Sequence, residues 1–158
     1  MIKVAILTVS DSCAAGKRED ISGRLVEEML PSDRFEICQK RIVPDDRGKI
    51  AAELLRFSDE LSVDVVLTTG GTGLGPRDVT PEATVSVCDR IVPGFGELAR
   101  SEGFKKTANA MLSRAVAGIR KSTLVINLPG SARAVRECLE LIVGVLPHAV
   151  EMMHGGGH

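Results

Sequence analysis

Val63-Asp64-Val65-Val66-Leu67-Thr68-Thr69-Gly70-Gly71-Thr72-Gly73-Leu74-Gly75-Pro76-Arg77-Asp78-Val79-Thr80-Pro81-Glu82 is the stretch that decides the fold. Its first seven residues form an almost continuous β-branched run, the pattern of a central parallel strand covered on both faces. Its last three offer an N-cap hydroxyl, a proline at the first helical position and an acid in the first turn, which predicts a helix from Thr80 to roughly Val87. Strand, glycine loop and helix follow one another directly. The stretch is one βα unit with a polar loop at the carboxyl end of its strand.

The same alternation extends in both directions. Ile2–Val9 reads as a buried strand, and Ser22 caps a helix whose Leu25, Val26, Met29 and Leu30 share a face. Phe35–Val43 is a second strand ended by Pro44, and Arg47–Leu61 carries Ile50, Ala51, Leu54 and Leu55 at helical spacing. Downstream, Phe95–Gly103 and Thr107–Ser113 read as helices, while Arg114–Arg120 and Ser122–Asn127 read as short strands close enough to pair antiparallel. From Ser131 the apolar positions mark one long helix, kinked where Pro147 removes the hydrogen bond to Val143. The expectation is a three-layer α/β domain with right-handed crossovers, a mostly parallel central sheet and helices on both faces. It takes residues 1–154 as one domain and 155–158 as a flexible tail.

Composition narrows the function. A chain of 158 residues can bury about two-thirds of its surface in one core without disulfides or metal. Twenty basic against 21 acidic side chains give a net charge of −1, which argues against nucleic-acid binding driven by a basic field. Cys13, Cys38, Cys88 and Cys138 form no C-x-x-C pair, so zinc ribbons, thioredoxin pairs and disulfide scaffolds are disfavoured and a reducing cytoplasm is the simplest compartment. No apolar run approaches the length of a membrane span or a secretory signal. His148, His154 and His158 suit neither an i, i+4 zinc pair nor a catalytic triad.

Ligands of open α/β sheets bind outside the carboxyl ends of the strands, and four polar loops fall there. In the strongest, Gly70, Gly71, Gly73 and Gly75 permit positive φ and close backbone approach, so successive N–H groups form an anion nest backed by the helix at Pro81. Neither the P-loop nor the G-x-G-x-x-G spacing is met. Asp78 is a candidate Mg²⁺ ligand and Arg77 a candidate phosphate clamp; a tight turn with a surface ion pair is the plainer reading. Asp45 can face the same metal or simply cap the next helix, and Asp46 reads as its first-turn acid. Ser10, Asp11 and Ser12 with Asp20 and Ser22, and Asn127, Pro129, Gly130 and Ser131, are substrate contacts or ordinary caps and turns.

Gly70-Gly71-Thr72-Gly73 followed by Pro76-Arg77-Asp78-Val79-Thr80-Pro81-Glu82-Ala83-Thr84 resembles the signature of the molybdopterin adenylyltransferase family, which includes the MogA and MoaB-like proteins and G domains such as gephyrin's. Leu7-Thr8-Val9-Ser10-Asp11, Val43-Pro44-Asp45, Pro93-Gly94, Met111-Leu112-Ser113-Arg114, Ala117-Gly118-Ile119-Arg120 and Asn127-Leu128-Pro129-Gly130 resemble further blocks of that family in the same order. The resemblance implies a homotrimer that joins AMP from Mg-ATP to the terminal phosphate of molybdopterin, ahead of a molybdenum-insertion protein. It implies Asp45 and Asp78 as the catalytic, Mg²⁺-binding acids. Gly70, Gly71, Thr72, Gly73, Arg77, Asn127, Pro129 and Gly130 fall on the nucleotide side, and Ser10, Asp20, Ser22 and Ser113 on the molybdopterin side. Gly103 stands where relatives commonly carry a serine.

Overall fold

In the computed structural model, which describes residues 1–156, Ile2–Val9 (β1) pairs in parallel with Phe35–Val43 (β2) on one side and Val65–Thr69 (β3) on the other. Thr123–Leu128 (β6) extends the parallel sheet beyond β3, and Ala117–Arg120 (β5) and Arg90–Ile91 (β4) add to its edge antiparallel. The order is β2-β1-β3-β6-β5-β4. The four parallel strands therefore end on one side, and the chain switches direction of winding between β1 and β3. Residues 157–158, which hold His158 and the end of the expected tail, lie outside the described residues.

Period-two alternation sends side chains to both faces. Val4, Ile6, Val65, Leu67, Leu124 and Ile126 meet Val26 of Ile21–Met29 (α2), Val135 and Leu139 of Ala132–Ile142 (α6), and Leu146 of Leu146–Met153 (α7). Ala5, Leu7, Val66 and Val125 meet Ile50 and Leu54 of Arg47–Leu55 (α3) and Ala83 of Thr80–Val87 (α4). Three layers result, as the alternation of patterns predicts. Each fully buried leucine, such as Leu54, Leu67 or Leu139, contributes about 1.5–3 kcal/mol of burial.

Several local expectations are replaced by tertiary contacts. Asp20, not Ser22, caps α2: its Oδ1 accepts from the Gly23 N–H at 2.9 Å while its Oδ2 accepts from the Thr8 hydroxyl at 2.6 Å. Asp46, expected in the first turn of α3, is its N-cap and accepts from the Lys49 N–H at 2.9 Å. Thr80 is already helical, and its hydroxyl turns back to donate to the Gly70 carbonyl at 2.9 Å. Pro147 bends no helix; α6 ends at Ile142 and Pro147 sits in the first turn of the separate α7. The Arg47–Leu61 pattern continues past α3 as a π-helical turn, Arg56–Glu60. Two elements lie outside the expected set, the one-turn helix Asp11–Ala14 (α1) and strand β4. Pro93–Phe104 (α5) and a 3₁₀ turn at Ala108–Leu112 take the places of the two short helices expected there.

Candidate active site

Each polar loop at the carboxyl ends of the parallel strands is locked by its neighbours. After β1 and β2, Asp11 and Asp45 exchange backbone-to-carboxylate bonds: the Asp11 N–H donates to Asp45 Oδ2 at 2.9 Å, and the Asp45 N–H donates to Asp11 Oδ1 at 3.0 Å. Arg77, from the glycine loop, lays its fork on Asp11, Nε to Oδ2 at 2.6 Å and Nη2 to Oδ1 at 2.9 Å. That contact, with the Asp45 N–H, lowers the Asp11 pKa to about 2. Asp45 moves the other way: burial raises it, and the charges of Asp11 and Asp78 add to the rise.

After β3, Gly70 and Gly71 adopt φ of +90° and +69°, which L side chains avoid. A Cβ on Gly71 would lie 2.3 Å from Thr80 Oγ1 and 3.2 Å from Asp45 Oδ1, so the loop's backbone runs directly against the Asp45 carboxylate. Gly73 and Gly75 answer to proximity rather than φ, since a Cβ on either would meet Asp78 Oδ2 within 2.9 Å. Asp78 curls under its own loop and accepts from the Gly75 N–H at 2.9 Å. One oxygen of Asp45 and one of Asp78 are thus held by backbone, and no donor among the described residues reaches the other oxygen of either.

Two clefts open on this framework. The smaller, about 360 Å³, is lined by Ser10, Asp20, Ser22, Asp45, Gly70 and Asp78 among others. The larger, about 590 Å³, runs under α5, the 3₁₀ turn and α6, and is lined by Thr72, Gly73, Asp78, Gly103, Ser113 and Pro129 among others. Gly71, Asp78, Gly130 and Ser131 line both. Asp45 and Asp78 therefore share one cleft.

The four residues expected on the molybdopterin side are not brought together. Ser10, Asp20 and Ser22 line the smaller cleft and Ser113 the larger. Their polar atoms are also engaged: Ser10 caps α1 through the Cys13 N–H, the Ser22 hydroxyl donates to the Gly130 carbonyl at 2.7 Å, and Ser113 Oγ accepts from the Ala115 N–H at 3.3 Å. Asn127 is 5% exposed and lines neither cleft. Its amide nitrogen donates to Thr68 and Thr84 hydroxyls at 3.1 and 2.9 Å and its oxygen accepts from the Val116 N–H, so it braces β3 against α4. Arg77 is engaged by Asp11 and lines neither cleft.

The residue that sequence reasoning missed is Arg114, which enters there only as part of a resembling block. It follows Ser113 and passes behind the glycine loop. Its N–H donates to the Thr72 carbonyl at 2.9 Å, Nε to the Gly73 carbonyl at 2.8 Å and Nη2 to the Asp78 carbonyl at 2.6 Å, and Nη1 pairs with Glu82. Its contacts lie 32 to 42 residues back in the chain, from Glu82 to Thr72, beyond any local pattern.

These features define a class: an α/β protein presenting a glycine-rich loop flanked by two acids at the switch point of a mostly parallel sheet. Comparison with known proteins narrows it. Residues 5–148 match the family described as "Probable molybdopterin binding domain". The chain is 42% identical over 156 residues to the molybdopterin adenylyltransferase of Helicobacter pylori strain J99, covering 98% of this chain and 89% of that protein. It is 36% identical over 169 residues to the molybdopterin adenylyltransferase of Escherichia coli K12, covering 98% and 86%. The crystal structure of the molybdopterin biosynthesis enzyme MoaB from Thermus thermophilus superposes with a TM-score of 0.92 at 47% identity, covering 98% of each chain. The chain belongs to this molybdopterin-binding family, MogA and MoaB-like, as its motifs imply.

Proposed function

We propose that the protein is a nucleotidyltransferase of molybdenum cofactor biosynthesis that transfers AMP from Mg-ATP to the terminal phosphate of molybdopterin, giving adenylyl-molybdopterin and pyrophosphate. The observation that carries this reading is the pair of clefts meeting over one glycine loop, with Asp45 and Asp78 beside the junction. Two organic groups can occupy separate clefts while their phosphates meet at Gly71. The larger cleft, with Ser113 and Gly103, takes the pterin, and the smaller takes adenosine, which moves Ser10, Asp20 and Ser22 to the nucleoside side.

The reaction requires no histidine. A phosphate monoester is already anionic at pH 7, so its oxygen attacks the α-phosphorus of ATP without a base; that P–O bond forms as the bond to the β-phosphate oxygen breaks and pyrophosphate departs. What remains is alignment and charge neutralisation, which the N–H groups of Gly71 to Gly73 and the helix start behind them supply.

The residues suit Mg²⁺. Among the described residues there is no cluster of three His, Cys, Asp or Glu that could hold a metal alone. Two carboxylates with one open oxygen each match a hard cation that takes its other ligands from water and substrate phosphates. When bound, such an ion supplies positive charge against the triphosphate. The raised Asp45 carboxyl is the group whose ionisation it favours.

No helix among the described residues is long and apolar enough to cross a membrane. The exposed Leu98, Phe104, Met111 and Leu112 on α5 and the adjoining 3₁₀ turn offer an apolar face for association as a homotrimer; we propose a cytoplasmic location, with the product passing to a molybdenum-insertion protein. Incubation with molybdopterin and Mg-ATP should yield adenylylated pterin and one pyrophosphate per turnover. Bound pterin with no product would overturn the reading in favour of a noncatalytic molybdopterin carrier.

A further inference from the structure

The glycine loop carries the anion-binding N–H groups, yet its conformation is imposed from outside it. A trans peptide is planar and holds its N–H opposite its C=O. Whatever fixes a loop carbonyl therefore aims the N–H of the following residue. Arg114 fixes three of them: Thr72 through its own N–H, and Gly73 and Asp78 through its guanidinium. With those carbonyls drawn to Arg114, the N–H groups of Gly73, Leu74 and Val79 point away from it. Thr72, Gly73 and Asp78 line the larger cleft, whereas Arg114, which holds their carbonyls, does not.

We propose that Arg114 is a positioning residue for adenylyl transfer, a role that rests on the activity proposed above. It acts through Gly73 and Asp78, not by touching phosphate. Two observations separate it from an anion ligand. Its positive charge is already matched by Glu82, whose carboxyl it holds below the usual range. Its grip spans both ends of the loop, so it also sets where Asp78 leaves the backbone, while the Gly75 N–H holds the Asp78 carboxylate. Only a planar fork reaches carbonyls in two directions while pairing with an acid; an ammonium on a flexible stem keeps the charge and loses the geometry.

The test is Arg114→Lys, with wild type alongside. Adenylyl transfer should fall about 100-fold in kcat, the scale expected when reacting groups are displaced by about 1 Å. Molybdopterin affinity should change less than about threefold. Amide hydrogen exchange, measured without substrates, should speed up across residues 70–79 while β1, β3 and β6 stay as protected as in wild type. Unchanged kcat with unchanged exchange in the loop would overturn the proposal, as would a loss of molybdopterin binding matching the loss of kcat, since that would make Arg114 a ligand. Exchange uses no substrate, so the role of Arg114 in ordering the loop is read even if the wild type proves to transfer nothing, a result that would defeat the activity instead.

Discussion

The two clefts share a boundary and differ in how their walls are held. Around the smaller one, Asp11, Asp45, Arg77, Asp20, Thr8 and Ser22 are bonded to one another or to backbone from a different loop. Around the larger one, the charged side chains pair mainly along their own helices or across to the next, as Lys105 does with Glu102 and Lys106 with Glu137. Exposed pairs of that kind contribute little and rearrange at small cost. The smaller cleft is held by bonds between loops, whereas the larger is held by Arg114 at the glycine loop and by exposed pairs along its helical wall.

The sharpest way to break this comparison is at the junction. Asp78→Asn keeps an acceptor for the Gly75 N–H but removes the charge, and turnover measured by pyrophosphate release should drop by about 100-fold or more with the melting temperature nearly unchanged. Wild-type turnover would remove Asp78 from the chemistry. Next in size, Thr80→Val deletes the buried hydroxyl that holds the Gly70 carbonyl and should cost about 1–3 kcal/mol in urea unfolding. A change under about 0.3 kcal/mol would show that the loop does not depend on that bond.

The helical wall of the larger cleft should respond less. A Cβ on Gly103 would stand 2.8 Å from the Ala110 Cβ, so Gly103→Ser must shift the 3₁₀ turn against α5. Molybdopterin affinity should move about three- to tenfold, while ATP binding, followed by calorimetry, stays constant; each tenfold is about 1.4 kcal/mol. An equal effect on both ligands would mean that the two walls are one unit.

The smallest effect concerns pH. Asp45 is raised above its unfolded value near 4, so its contribution to stability is complete below about pH 4 and is lost as pH rises through the folded value. At pH 7 without metal its ionised form is a liability, and Asp45→Asn should raise the melting temperature slightly, by less than about 2 °C. Added Mg²⁺ and ATP should stabilise the wild type and leave the variant largely unmoved. Asp11 runs the opposite way: held at about 2 by Arg77, it stabilises above about pH 4, and that contribution is lost between about pH 4 and 2. A melting temperature of Asp45→Asn below wild type at pH 7 would contradict the assignment.

Most of the layered fold was legible because it depends on local periodicity: β1, β2, β3 and the helices after them, and the antiparallel pair β5 and β6, follow from residue patterns. Asp46 and Pro147 were misread locally, by one position in a helix start and by a helix boundary, and the rest of what was misread depends on partners distant in sequence. Asp20 and Ser22 are both good caps, and the choice falls to Asp20 because Thr8 of β1 donates to it. Thr80 looks like a cap until the loop folds back and offers the Gly70 carbonyl. Arg77 and Arg114 make the same point about function. The arginine inside the motif is engaged by Asp11 from β1's loop, and the one 36 residues after Asp78 shapes the motif's backbone.

The divide between the clefts bears on how such a protein can change. Gly71, which lines both clefts, has a φ of +69°, and a Cβ on it would stand 2.3 Å from Thr80 Oγ1, so no side chain fits there. Of the four residues that line both chambers, Gly71 and Gly130 present main chain, and Asp78 and Ser131 present the side chains. Selection acting on this site has its freedom at the two far ends, where a new headgroup or base can be accommodated, while the crossing point keeps one shape for every pair of guests.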